Sequence, residues 1–111
     1  FRITQVMSNL IVNSLNYGVE NGTIEIVTKN LSKEKILVRV IDNGQGIPED
    51  DLPRIFERFY RVDKTRNRQE GGSGLGLAIV KHIVEAHNEI VYVESSLNVG
   101  SEFSFTLTKS N

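Results

Sequence analysis

The residues whose types and spacing could do chemistry fall in three clusters. Asn9, Asn13 and Asn16 stand four and three residues apart, which on a helix places their amides along one stripe. Asparagine is a mediocre helix former, because its side chain competes for backbone hydrogen bonds, so three on one face lower helix propensity. In return, such a stripe offers a row of neutral, hard oxygen ligands. These suit Mg²⁺, an ion that keeps water and substrate phosphate oxygens in its shell. A solvated polar face is the competing reading.

The second cluster comes after a hydrophobic run, residues 36–42 (ILVRVID), and reads Asp42-Asn43-Gly44-Gln45-Gly46-Ile47-Pro48. An ionised carboxylate at the end of a strand can accept from an exocyclic amine such as that of adenine. Gly44 and Gly46 let backbone approach a ligand closely. An ordinary Asp-Asn-Gly turn is the alternative. The pair of glycines is not a dinucleotide-binding fingerprint, since no third glycine stands three residues on and a proline comes next. The third cluster is Gly71-Gly72-Ser73-Gly74-Leu75-Gly76-Leu77, running into an apolar periodic segment. Glycines at a helix start leave backbone N–H groups free to face an anion, with the helix dipole behind them. The P-loop pattern would need Lys and Ser/Thr after the last glycine, and Leu77 stands there instead. A hinge, or close packing of helix on sheet at Gly74 and Gly76, would account for the same residues. Arg58, Arg61, Lys64, Arg66 and Arg68 crowd the stretch before these glycines. Beside a phosphate cradle they could close over a triphosphate; elsewhere they are a solvated basic loop. His82 and His87, five residues apart, lie on different faces of a helix and are read as structural.

These clusters need elements to hold them. Ile3, Val6, Met7, Leu10, Ile11 and Leu15 recur at spacings of three and four, which predicts an amphipathic helix over residues 3–17. Gly18 and Asn21-Gly22 supply a turn, and Ile24, Ile26 and Val27 a strand, which pairs antiparallel with 36–42 across a polar connection. A short helix is expected over 50–60, with Leu52, Ile55, Phe56 and Phe59 on one side. Residues 61–73 read as a polar, basic loop. A helix over 75–87 presents Leu75, Ala78, Ile79, Val80, Ile83 and Val84, and Asn88 is a left-handed cap for it. Strands near 89–94 and 102–108 close the chain, with Phe103, Phe105 and Leu107 on one face. The fold expected is α/β: a two-layer sandwich of three helices on one face of a mostly antiparallel sheet.

At 111 residues the chain is read as one domain, 1–111. Hydrophobic residues at 39% and charged residues at 24% suit a globular fold, and a net charge of -1 gives no field favouring nucleic acid. With no cysteine there is neither a disulfide framework nor a thiolate metal site. No run approaches the roughly 18 apolar residues of a membrane span, and no signal-peptide pattern opens the chain. Phe1 is not an initiator methionine, so the expectation is a piece of a larger protein.

The order of the clusters resembles the catalytic, ATP-binding domain of bacterial sensor histidine kinases, a branch of the superfamily that contains gyrase, Hsp90 and MutL ATPases. Residues 5–18 (QVMSNLIVNSLNYG) resemble the N box, 42–48 (DNGQGIP) the G1 box, 54–63 (RIFERFYRVD) the F box, 71–81 (GGSGLGLAIVK) the G2 box and 100–107 (GSEFSFTL) the last one. The match runs over nearly the whole chain in the right order. It implies a Bergerat-type ATP-binding fold whose first strand, preceding the N box, is truncated. It implies ATP and Mg²⁺ as cofactors, with Asn9 and Asn13 on the metal and Asn16 and Tyr17 lining the nucleotide. Asp42 would accept the adenine amino group, supported by Gly44, Gly46 and Ile47. Arg61 and Arg66 would reach phosphates from a lid, Phe56 and Phe59 would anchor that lid, and Gly72, Ser73, Gly74, Leu75, Gly76 and Leu77 would cradle the phosphates. Asn16 departs from the basic residue usual there and Asn88 from the usual glycine, although asparagine tolerates the same left-handed backbone.

The resemblance further implies a protein histidine kinase domain that presents the γ-phosphate to a histidine on a separate dimerisation and phosphoacceptor helical domain. Its other partner would be a response regulator. The parent would be a membrane-bound receptor with this domain in the cytoplasm, and the isolated piece would be monomeric. No catalytic base is identifiable in the chain. An ATP hydrolase would want a glutamate one turn before Asn13 to activate water, and Asn9 stands there. An anti-sigma-factor-type serine kinase, or a degenerate module that no longer binds nucleotide, remain as alternatives.

Overall fold

A computed structural model describes residues 3–16, 22–60 and 75–109. Two amphipathic segments form helices, α1 (Ile3–Asn16) and α2 (Gly76–Ala86). The alternating segments form β1 (Ile24–Asn30), β2 (Lys35–Asp42), β3 (Val91–Ser96) and β4 (Gly100–Thr108). They assemble into one four-stranded sheet, in the order β1-β2-β4-β3, with every pairing antiparallel.

Register decides which residues meet the helices. Val38 lies opposite Phe105 and Val40 opposite Phe103, and β3 adds Val91 and Val93 opposite the same two phenylalanines. Strand side chains alternate between faces, so these residues form one apolar surface. Val6 and Leu10 of α1 and Val80, Ile83 and Val84 of α2 close over it, and Val40, Phe103 and Phe105 are fully buried. Burying each such side chain stabilises by about 1.5–3 kcal/mol. The opposite face of the sheet is mixed: between Leu37 and Ile41, Arg39 grips Glu102 with two hydrogen bonds of 2.9 and 2.7 Å, and the Glu102 carboxyl sits below its usual range for that reason.

The predicted left-handed cap is present. Asn88 has φ 59°, and the amides of Asn88 and Glu89 donate back to Glu85 and Val84 at 3.0 Å, the paired bonds of a Schellman end. This turn drops Glu89 into a buried position, where its carboxylate accepts from Lys35 Nζ at 2.8 Å, Thr106 Oγ1 at 2.8 Å and Thr108 Oγ1 at 2.7 Å. The end of α2 is thereby tied to β2 and β4.

Two expectations are corrected. The helix expected over 50–60 is only a 3-10 turn, Leu52–Arg54, so the described residues hold two α-helices rather than three. Its backbone bonds all span three residues, Leu52 to Glu49, Arg54 to Asp51, Glu57 to Arg54 and Tyr60 to Glu57. Pro53 has no N–H with which to start the four-residue ladder, and Phe59 takes φ 66° and ends the segment. Ile55 and Phe56 still reach the core, Phe56 edge-on to Phe103 with ring centroids 6.2 Å apart. Phe59 does not; it is exposed, beneath the Arg58 guanidinium. The second correction concerns α1, where spacing puts Leu15 on the apolar stripe but the structure leaves it 66% exposed. Val6, Leu10 and Ser14 hold the buried line instead, at successive spacings of four.

Candidate functional site

Asp42 ends β2 and is buried with its Oδ1 accepting the Gly44 amide at 2.9 Å. That bond turns the chain sharply out of the strand. The loop beyond it is fixed from both sides. Asn43 Oδ1 accepts from the Thr23 amide at 2.7 Å, which holds the loop to the approach of β1. On the other side the Ile47 amide donates to Ser95 Oγ at 2.7 Å, and the Gln45 carbonyl accepts from the Asn98 amide at 2.7 Å. Ile47 is then buried in the core.

Two glycines make this contact between loop and hairpin possible. Gly46 has φ 76°, and a Cβ on it would overlap the Ser96 carbonyl oxygen and lie 2.7 Å from the carbonyl carbon. Gly100 has φ 145°, and a Cβ there would overlap the Asp42 carbonyl oxygen and lie 2.9 Å from Asn43 Cα. Both values lie where an L side chain is strained and glycine is not. The space that glycine leaves at 46 is thus filled by the β3–β4 hairpin.

Ser14, Leu15, Gly22, Thr23, Ile24, Asp42, Asn43 and Gly44 line one pocket of about 80 Å³. Its walls are the last turn of α1, the start of β1 and the end of β2. The two helices meet further back along α1. Asn9 on α1 faces Gly76, the first residue of α2, where a Cβ would stand 3.8 Å from Asn9 Oδ1. Asn9 Nδ2 is buried and has no hydrogen-bond partner among the described residues, whereas Asn13, one turn on, is half-buried. Leu75 caps α2 with no side-chain hydrogen bond to its first amides, and Leu77 packs against the core.

The structure therefore brings Asn9 to Gly76, which stands between Leu75 and Leu77, and gathers Asp42, Gly44, Gly46 and Ile47 at the strand end; Asn13 lies one turn on from Asn9. Asn16 closes α1, and its side chain is outside the described residues, as are Tyr17, Arg61, Arg66, Gly72, Ser73 and Gly74. Sequence reasoning missed Ser14, Thr23, Ser95 and Asn98. Ser14 carried a usable signal, because it stands four residues after Leu10 on the buried line. Ser95 and Asn98 carried none, since their partners lie about 50 residues away.

The residues present suit a magnesium-bound nucleotide. Among the described residues no group of three acidic, histidine or cysteine side chains forms a metal cage. Asn9 and Asn13 instead offer neutral oxygens, the donor set for an ion that arrives with waters and phosphate oxygens of its own. The unpartnered Asn9 amide lies where the first backbone donors of α2 also gather, and a phosphate oxygen could accept from both.

Residues 1–111 match the profile of the histidine kinase-, DNA gyrase B- and HSP90-like ATPases. The chain is 44% identical over 107 residues to the sensor histidine kinase WalK of Bacillus subtilis, covering 96% of this chain and 18% of that protein. It is 45% identical to the WalK sensor kinase of Staphylococcus saprophyticus over the same shares. The chain thus spans less than a fifth of the length of these relatives. Among solved structures, the mycobacterial sensor histidine kinase MprB superposes with a TM-score of 0.82 at 27% identity, covering 94% of this chain and 70% of that one. A nucleotide-free catalytic domain of histidine kinase ThkA gives 0.79 at 34% identity, covering 97% and 67%. Full-length ShkA in complex with AMPPNP gives 0.81 at 31% identity, covering 95% and 21%. The chain belongs to the histidine kinase-, DNA gyrase B- and HSP90-like ATPase family, as a catalytic domain of the sensor histidine kinase kind.

Proposed function

We propose that this domain binds Mg-ATP and presents its γ-phosphate to a histidine on a separate helical phosphoacceptor domain, in two-component signalling. The observation that carries the reading is a pair of features joined by α1: its last turn lines one pocket with Asp42 and Gly44, and Asn9 earlier on the helix faces Gly76. The first is a buried carboxylate with a tied-down glycine loop, and the second a buried asparagine amide, unpartnered among the described residues, against a helix start. Asp42 would hold the exocyclic amine of adenine. Asn9 and Asn13 would orient Mg²⁺, with Asn16 and Tyr17 beside the nucleotide. Leu75, Gly76 and Leu77 would supply backbone donors to phosphate, joined by Gly72, Ser73, Gly74, Arg61 and Arg66. Bound Mg²⁺ neutralises charge on the phosphates; the chain's own groups bind and orient the transferred group. Positioning and electrostatic stabilisation are most of what phosphoryl transfer asks of a protein.

The parent protein would be a membrane-bound receptor with this domain in the cytoplasm, acting with a response regulator. Among the described residues no helix is long and apolar enough to cross a membrane. An ATP-hydrolysing role is disfavoured by Asn9, an amide at the helical position from which a glutamate would activate water.

Titration with a fluorescent ATP analogue, with and without Mg²⁺, tests the reading. The wild type should bind saturably and more tightly with the metal. Asp42→Ala should weaken binding by tenfold or more in either condition, and Asn13→Ala should erase the metal's contribution. Absence of saturable binding by the wild type sinks the assignment. Incubation with γ-labelled ATP should leave His82 and His87 unlabelled, and label should appear only on a supplied helical domain bearing an acceptor histidine.

A further inference from the structure

An antiparallel sheet with helices on one side only ordinarily reads apolar toward the helices and polar away from them. This sheet departs from that pattern on its bare side. Residues directly paired across strands share a face, so the register gathers Val27, Leu37, Ile41 and Tyr92 on the side away from the buried phenylalanines. Ile90, whose carbonyl accepts from the Thr106 amide, extends the same surface. Tyr92 is 46% exposed and Ile90 54%, and none of these side chains packs against the helix-covered core. Apolar side chains gathered on one face, with charge at its rim, are the composition of a contact surface.

The charges on this face say what the covering segment carries. In the row nearest the Asp42 loop, Glu25 on β1, Glu102 on β4 and Glu94 on β3 stand in line with Ile41. Arg39 is the cation among them: its hydrogen bonds with Glu102 raise its pKa first, and the charges of Glu25 and Glu94 add to that. Neither Glu25 nor Glu94 forms an ion pair among the described residues. At the far end Lys35 is neutralised by Glu89, and Lys29 stands two rows from Glu25, opposite Leu37. The row beside the loop is therefore left acidic. Size then decides between a free and a tethered occupant. Three strand spacings by about four residue steps give a face of roughly 14 Å by 14 Å, or about 200 Å², against about 800 Å² per partner in a standard interface between free proteins. A tethered segment, at about millimolar effective concentration, needs no more than this. A helix about 10 Å across fits the footprint, and a helix laid on a sheet is the ordinary way such a face is covered. We propose that the bare face of the sheet docks a basic amphipathic helix of the same receptor, from the part of its chain outside residues 1–111. The proposal rests on the reading of this chain as one domain of a larger receptor, in keeping with its spanning 18% of the Bacillus subtilis relative. The apolar side of the helix lies on Leu37, Ile41 and Tyr92. Lys or Arg side chains on its flank meet Glu25 and Glu94, which are about 14 Å apart across the strands and so call for cations two to three turns apart.

Photo-crosslinking in the full-length receptor tests this. Tyr92→p-benzoylphenylalanine keeps an aromatic ring at the centre of the face and, on illumination, inserts into a C–H bond of whatever residue lies against it. Mass spectrometry of the products should find one segment outside residues 1–111 of the same chain, with apolar residues at spacings of three and four and Lys or Arg on its flank. Adding Glu25→Lys and Glu94→Lys should lower the yield about fivefold, the effect of losing two exposed ion pairs. Affinity for a fluorescent ATP analogue should be the same with and without these substitutions, which shows the domain folded; if the double reversal fails that control, Glu25→Gln with Glu94→Gln removes the charges alone and should still lower the yield. Crosslinks only to residues 1–111 of a second copy, only to a separate protein, or to a segment without basic residues overturn the proposal. So does a yield that the charge substitutions leave unchanged, or no crosslink at all. The kinase reading fails by a different result, the absence of saturable nucleotide binding by the receptor, and the crosslinking pattern is judged independently of it.

Discussion

Replacing Glu89 by glutamine keeps the side chain's shape and removes its charge at the end of the sheet away from Asp42. Burial pushes the Glu89 carboxyl up, but hydrogen bonds from Lys35, Thr108 and Thr106 outweigh it and bring it from 4.5 to about 2. A carboxyl depressed in this way contributes stability that is present above its unfolded value and lost as pH falls through the folded one. The window therefore runs from about pH 5 down to about pH 2. At about 1.4 kcal/mol per pH unit the ceiling is roughly 3 kcal/mol. Lys35 is 39% exposed and its charge is screened by solvent, so about 1–2 kcal/mol is the contribution to expect. Urea denaturation of wild type and Glu89→Gln at a series of pH values measures it. The wild type should be more stable by that amount at pH 7, and the gap should close toward pH 2. Glu102, whose carboxyl is also held low by Arg39, titrates in both proteins and cancels in the difference. A gap that stays constant from pH 7 to pH 2 would refute the argument, since it would tie the effect to shape rather than to charge.

Two further substitutions probe the glycine loop. Gly100→Ala places a Cβ on the Asp42 carbonyl oxygen at φ 145° and should lower the melting temperature by more than about 10 °C, as strain and overlap add; a change of only a degree or two in a calorimetric scan would show that the hairpin yields. Ser95→Ala removes the acceptor of the Ile47 amide and should weaken ATP by about three- to tenfold through the loop's position, which the same fluorescence titration measures; unchanged affinity would show the loop held by its other bonds.

Much of the sheet was legible from alternation alone, because Phe103, Phe105 and Leu107 on one face and the ILVRVID run can satisfy little else. Asn88 was legible because few residues tolerate a left-handed backbone. The segment over 50–60 misled because its apolar spacing is helical while Pro53 removes the bond a helix would begin with. Its apolar residues reach the core from turns just as well. On α1 the apolar pattern favoured Leu15, and the structure buries Ser14. Spacing of four from Val6 and Leu10 outranks hydrophobicity when the neighbouring position faces an open pocket. Of the candidate site, Asp42 and the asparagine stripe could be named from residue type. Their proximity to Gly76 could not, because it depends on how α1 and α2 cross. The supports from Ser95, Asn98 and Gly100 were hidden for the same reason: they join segments far apart in sequence through main-chain atoms that no side-chain pattern records.

The meeting of the Asp42–Ile47 loop with the β3–β4 hairpin also divides labour within the cleft. Main chain lies on main chain at Gly46 and Gly100, with no flexible side chain between to absorb a shift. Opening this jaw would mean prising the first residue of β4 away from β2, which shares the cooperativity of the whole sheet rather than that of a surface turn. The acid-bearing side of the site is then an anvil, as fixed as the sheet it is built into.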